Sequence, residues 1–247
     1  MKYTGRAVLV TGGSRGIGAA IVRRLAQEGL KVAFFYHQSV EDAMSLLNWG
    51  EQSGFSIVPI QVDLSQEMDV QRALQNAKVN VGPIDYLVNN AAVARYALFS
   101  DETKEDMEQI IRTNFESVLW VTQDVSKGMV LRQFGSIVNI SSIWGLYGSS
   151  CESVYAATKG ALISFTKSIA KELGPSNVRV NCIAPGVIDT DMLEPLSKQD
   201  IDQLVQRIPL CRLGRPEEVA SAVAFLLSDE ASYISGSVLE VSGAFIS

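Results

Sequence analysis

Short apolar runs alternate with longer stretches of helical periodicity along almost the whole chain. Arg6 to Thr11 reads as a buried strand, and the turn after it leads into a helix from Gly16 to about Glu28. That helix has Ile17, Ala20, Ile21, Leu25 and Ala26 at helical spacing, and Gly29 stands where a helix-ending glycine belongs. Lys31 to Phe35 is a second strand. A helix from about Val40, a strand at Ser56 to Gln61, a helix after Ser65 and a strand at Asp85 to Asn89 repeat the pattern. A long helical stretch from Lys104 towards Met129, a strand at Ser136 to Ile140 and a helix from Val154 to Glu172 come next. Strands at Val178 to Ala184 and Ser237 to Val241 complete the series. Near-continuous apolar strands separated by helices imply a parallel sheet covered on both faces. The expected fold class is therefore α/β, a single-domain, doubly wound Rossmann-type sheet spanning residues 1–247. The irregular stretch from Pro185 to about Asp200, which includes Pro195, follows a strand's carboxyl end and predicts a substrate lid over about 185–212.

Composition narrows the function. A chain of 247 residues that is 47% hydrophobic supports one large core, and its apolar runs fall short of the ~20 residues of a membrane-spanning helix. Met1-Lys2-Tyr3-Thr4-Gly5 lacks a signal-peptide pattern, so the expected location is cytoplasmic, with no membrane partner. A net charge of −6 argues against a nucleic-acid surface. Cys151, Cys182 and Cys211 read as reduced, buried thiols, and His37 is the only histidine, so no metal site is expected.

Two clusters carry chemistry. Thr11-Gly12-Gly13-Ser14-Arg15-Gly16-Ile17-Gly18 lies between strand and helix, where glycines let the backbone approach a diphosphate at a helix N-terminus. Tyr155 and Lys159 are four apart and so share a helix face, while Ser142 follows a strand and could steady charge on a carbonyl oxygen. A lysine cation beside a tyrosine, together with a positively charged oxidised nicotinamide, is expected to lower the phenol's pKa. Each feature has a plainer reading: a surface arginine at Arg15, a helix cap at Ser142, a solvent-facing amide at Asn114. Asp63 could cap a helix, although Ser65 is the better candidate for that role.

The TGxxxGxG turn together with Asn114, Ser142, Tyr155 and Lys159 in that order resembles the short-chain dehydrogenase/reductase family, from Arg6 to about Gly243. The resemblance implies ketone–alcohol interconversion with a nicotinamide cofactor. In this scheme Tyr155 is the proton donor, Lys159 holds the nicotinamide ribose and Asn114 serves a water relay. It implies cofactor contacts from Gly12, Ser14, Arg15, Gly16, Ile17 and Gly18. Tyr36 and His37 stand where NAD-selective members carry a carboxylate, so NADP(H) is expected over NAD(H). Asp63 is expected at the adenine, Asn90 follows the fourth strand in an NNAG-like segment, and Pro185, Gly186 and Thr190 are expected at the carboxamide.

Segments 183–192 and 212–218 most resemble the subgroup that reduces 3-oxoacyl thioesters on acyl carrier protein. Gln133 and Ser176 replace basic residues used there for carrier docking, with Arg132 and Arg179 as neighbouring substitutes. Val241-Ser242-Gly243-Ala244 departs from the family's VDGG. The resemblance further implies a homotetramer, whose contacts the apolar ending Gly243-Ala244-Phe245-Ile246 would join. Rival readings are a reductase of another alcohol or ketone (diol, cyclic alcohol, sugar or polyketide intermediate) and a cofactor-binding regulator without turnover.

Overall fold

The computed structural model describes residue 3, residues 5–193 and residues 197–245; Pro195 and Ile246 lie outside the described residues. Seven parallel strands form one sheet in the order β3-β2-β1-β4-β5-β6-β7. They are β1 (Ala7–Thr11), β2 (Lys31–Tyr36), β3 (Ile57–Gln61), β4 (Ile84–Asn89), β5 (Gly135–Ile140), β6 (Val178–Pro185) and β7 (Val238–Val241). β1, β2, β4 and β5 lie between other strands with helices on both faces, and this double burial is why they read as apolar runs. The strand order reverses direction between β1 and β4, and the crevice at such a switch point is where open parallel sheets receive ligands.

The helices are α1 (Gly16–Gln27), α2 (Val40–Ser53), α3 (Glu67–Val81), α4 (Lys104–Ile111), α5 (Ser117–Arg132), α6 (Trp144–Tyr147), α7 (Ser153–Leu173), α8 (Lys198–Gln206) and α9 (Pro216–Leu227). Ile21, Leu25, Val219 and Val223 help bury one face of the sheet, and Leu74, Val121, Val125 and Ala170 the other. Helix α9 is absent from the series expected from periodicity. It packs against α1 on the first face, with Val219, Ala220, Val223, Ala224, Leu226 and Leu227 buried. Helix α8 likewise occupies part of the expected lid.

The stretch Lys104–Met129 is not one regular helix, because a π turn over Arg112–Glu116 separates α4 from α5. Gln66, not Ser65, is the N-cap of α3; the Ser65 hydroxyl is spent on Asp63. Only Cys182 of the three thiols is buried, since Cys151 and Cys211 occupy loop positions with φ of 62° and 54° at half-buried and exposed sites. Beyond β6 the chain makes an excursion whose base is closed by an Ile188–Gly214 bridge, with Asp189 N–H donating to Gly214 O (2.9 Å) and Gly214 N–H to Val187 O (3.0 Å).

Candidate active site

The carboxyl ends of β1, β4, β5 and β6 bring the expected site residues to one edge of the sheet. The glycine-rich turn is shaped by close approach. A Cβ on Gly18 would lie 1.9 Å from Gly12 O, so only glycine lets α1 start this close to β1. Gly16 has φ of 51° and faces Thr190, whose methyl would lie 3.2 Å from an added Cβ. The turn after β1 and the segment after β6 therefore meet.

Helix α1 begins at Arg15 with no side-chain cap and no acidic residue in its first turn. Its first N–H groups and dipole suit a diphosphate, so the residues present fit a dinucleotide. Ser14 and Gly18 are buried in the turn, and Ile17 packs against the first core cluster.

Asn90 performs a structural task. Its Nδ2 donates to Thr11 O (3.1 Å) and Gly12 O (2.9 Å), while the N–H groups of Asn90 and Ala91 donate to Thr11 Oγ1 (3.0 and 3.1 Å). The end of β4 is thus tied across the switch point to the glycine turn. Thr11, not singled out in the sequence, is half of that clamp.

At the outer edge Tyr36 is buried at the end of β2, its ring 6.2 Å from that of Phe34. His37 and Asp63 line an open groove that also includes Arg72 of α3. Burial opposes ionisation of Asp63, but bonds from Ser65 N–H (2.9 Å) and Ser65 Oγ (2.8 Å), together with nearby His37, hold its carboxyl below the ordinary value. Arg15 is exposed and its Nη1 lies 3.5 Å from Asp191 Oδ2 beyond β6.

Ser142, Tyr155 and Lys159 are held in register by contacts beneath them. Ser141 Oγ donates to Lys159 O (2.8 Å), and a Cβ on Gly145 would meet Lys159 C at 2.7 Å, so α6 and the start of α7 are in direct backbone contact. Ser142 Oγ accepts from Trp144 N–H (3.2 Å), and its hydroxyl also hydrogen-bonds Tyr155. Pro185 O accepts from Ile143 N–H (2.9 Å), and Gly186 N–H donates to Val241 O (3.0 Å).

Lys159 is 1% exposed, and its Nζ donates to Ile140 O at 2.8 Å and lies 5.6 Å from the Tyr155 ring centroid. Burial lowers its pKa to about 8. One ammonium hydrogen is used on Ile140, leaving two for a ligand.

In the chain without its cofactor, burial first and the charge of Glu152 second push the Tyr155 phenol well above its ordinary value, and a hydrogen bond with Ser142 offsets this only in part.

Asn114 does not face water. It is fully buried in the π turn, its Oδ1 accepting from Val93 N–H and its Nδ2 donating to Val93 O, both at 2.8 Å, with Thr158 Oγ1 at 3.4 Å. Its side chain therefore pins the loop after β4 against α7.

Arg179 donates to the carbonyls of Leu226, Leu227, Ser228 and Ile234, while exposed Arg132 uses only Nη2 on Ile84 O (2.6 Å) and Asp85. Phe245 is buried in its own chain, edge-on to Trp144 at 5.4 Å.

A family profile described as enoyl-(acyl carrier protein) reductase matches residues 12–245. The chain is 40% identical over 238 residues to the 3-oxoacyl-(acyl-carrier-protein) reductase of Chlamydia trachomatis, covering 96% of each chain. It is 39% identical over 246 residues to the enzyme of that name from Thermotoga maritima, covering 100% of each. A solved short-chain dehydrogenase/reductase mutant from Serratia marcescens superposes with a TM-score of 0.93 at 34% identity, over 99% of both chains. This protein belongs to the short-chain dehydrogenase/reductase family and is a nicotinamide-dependent oxidoreductase.

Proposed function

We propose that the protein reduces a 3-oxoacyl thioester to the 3-hydroxyacyl thioester with NADPH. The observation that carries this reading is the grouping of Ser142 beside the Tyr155 phenol, with the Lys159 ammonium one helical turn on and 5.6 Å from the Tyr155 ring centroid. A bound NADPH would supply the hydride that adds to the ketone carbon. Ser142 donates a hydrogen bond to the carbonyl oxygen, Tyr155 gives that oxygen its proton, and the two remaining Lys159 hydrogens hold ribose hydroxyls. A phenol kept protonated suits the reductive direction. Asn114 serves the proton relay from the π turn, and the excursion over 185–212 closes on the substrate as a lid in a single domain. The relatives' names support the thioester, and no helix among the described residues is long and apolar enough to cross a membrane, in keeping with a cytoplasmic enzyme.

A second reading, a reductase of another ketone, is favoured by one observation: Arg179 is occupied by four carbonyls within the fold and is not free to dock an acidic carrier. Purified protein should oxidise NADPH at least tenfold faster with acetoacetyl thioesters than with unrelated ketones. Equal rates would favour the second reading.

NADPH should give a kcat/KM at least tenfold above NADH. No carboxylate stands at Tyr36-His37-Gln38-Ser39 to repel a 2′-phosphate, and Arg15 is held only by a long, exposed pair with Asp191 that a phosphate can displace. A charge-assisted bond is worth ~1.5–3 kcal/mol, and ~1.4 kcal/mol is a factor of ten. Arg15→Ala should therefore raise KM for NADPH far more than for NADH. An equal effect on both would make Arg15 a surface charge.

The proposed assembly is a homotetramer through the α4, α5 and α7 faces and the β7 edge. Ile111 of α4, Phe225 of α9 and Leu239 of β7 are exposed apolar side chains that such contacts would cover. Light scattering at micromolar concentration should give four chains per particle, and a stable monomer would exclude this assembly.

A further inference from the structure

Glu152 is the one carboxylate that bears directly on the proton donor, and none of the roles above uses it. It is the N-cap of α7, so the helix sets it one turn before Tyr155. Its Oε2 accepts from Ser149 Oγ at 3.2 Å, and among the described residues no cation pairs with it. The loop carrying it is fixed to the segment after β4 by Ala97 N–H donating to Cys151 O at 2.9 Å. The nearest cation along α7, Lys159, turns its ammonium towards Ile140 O.

We propose that Glu152 is a charge filter on the substrate side of Tyr155, admitting ketones whose neighbouring acyl group is neutral and rejecting the corresponding free 3-oxo acids. The inference deepens the thioester reading and rests on it for the location of the substrate. A 3-oxoacyl thioester and a 3-oxo acid share the ketone but differ two carbons away, where one is neutral and the other an anion. An anion there meets a half-buried carboxylate in surroundings that screen charge poorly, so like-charge repulsion falls mainly on the acid. Burial raises the Glu152 carboxyl above its ordinary pKa, whereas the N-terminal end of α7 favours its ionised form.

The test compares ethyl 3-oxobutanoate with 3-oxobutanoate as substrates of the full chain with NADPH at neutral pH. Wild type should prefer the ester in kcat/KM, and Glu152→Gln should reduce the ester-to-acid ratio by about tenfold or more, through a gain on the acid. Glu152→Asp, which keeps the charge, should retain most of the preference. A purely structural role would change both substrates together and leave the ratio fixed, which would overturn the proposal. So would an unchanged acid rate in Glu152→Gln. Failure of acetoacetyl thioesters alone counts against the thioester reading and leaves the ester–acid comparison standing. Failure of wild type to reduce the ester overturns the charge filter as well.

Discussion

Tyr155→Phe should lower kcat by at least about a hundredfold while leaving the Kd for NADPH within about threefold of wild type. The ring stays buried and keeps its packing, but the hydroxyl is lost, and general acid catalysis typically contributes ~100-fold or more. The two constants separate chemistry from folding: single-turnover rates report the first and fluorescence titration of the cofactor the second. Retention of more than about a tenth of wild-type activity would be incompatible with Tyr155 as the acid. A parallel loss of cofactor affinity would point instead to a collapsed site.

Lys159→Met should have opposite effects on stability and activity. Holding this ammonium in the interior depresses its pKa from 10.5 to about 8, a shift that corresponds to about 3 kcal/mol of unfavourable burial when the group is charged. Methionine removes that cost but leaves Ile140 O without its donor, a loss of about 1 kcal/mol or more. The net expectation is a Tm rise of roughly 3–6 °C at pH 7, with kcat/KM reduced at least about a hundredfold.

The pH dependence identifies the cause. Between about pH 8 and pH 10.5 the unfolded chain keeps a proton on Lys159 that the folded chain has released, so wild-type stability gains from this group as pH rises. The variant's advantage should be complete below about pH 8 and shrink across that window. Nearby Cys182, raised to about 11, titrates above most of it. An advantage that does not change with pH would mean the buried charge is not what destabilises wild type.

Much of the scaffold was legible because its signals are local. A strand covered on both faces must be apolar at every position, so β1, β4 and β5 announced themselves, and the spacing from Tyr155 to Lys159 fixed a shared helix face. Helix α9 was not picked out: its apolar positions are fixed by packing against α1, almost two hundred residues earlier in the chain. The glycines of the first turn were readable as glycines, but only the 1.9 Å approach to Gly12 O gives the reason at Gly18.

What the sequence by itself determined was the order of elements and the identity of the reactive groups, because both depend on residue type and short spacing. The tertiary structure decided what those groups do. Asn114 and Asn90 both became clamps, because burial obliges each amide to find partners and the nearest were the backbones of Val93, Thr11 and Gly12. Arg179 turned inward to four carbonyls, and Phe245 folded onto Trp144. The burial that raises the Tyr155 phenol was likewise beyond the sequence, because pairing chemistry can be read from spacing whereas desolvation depends on how many distant segments close around a group.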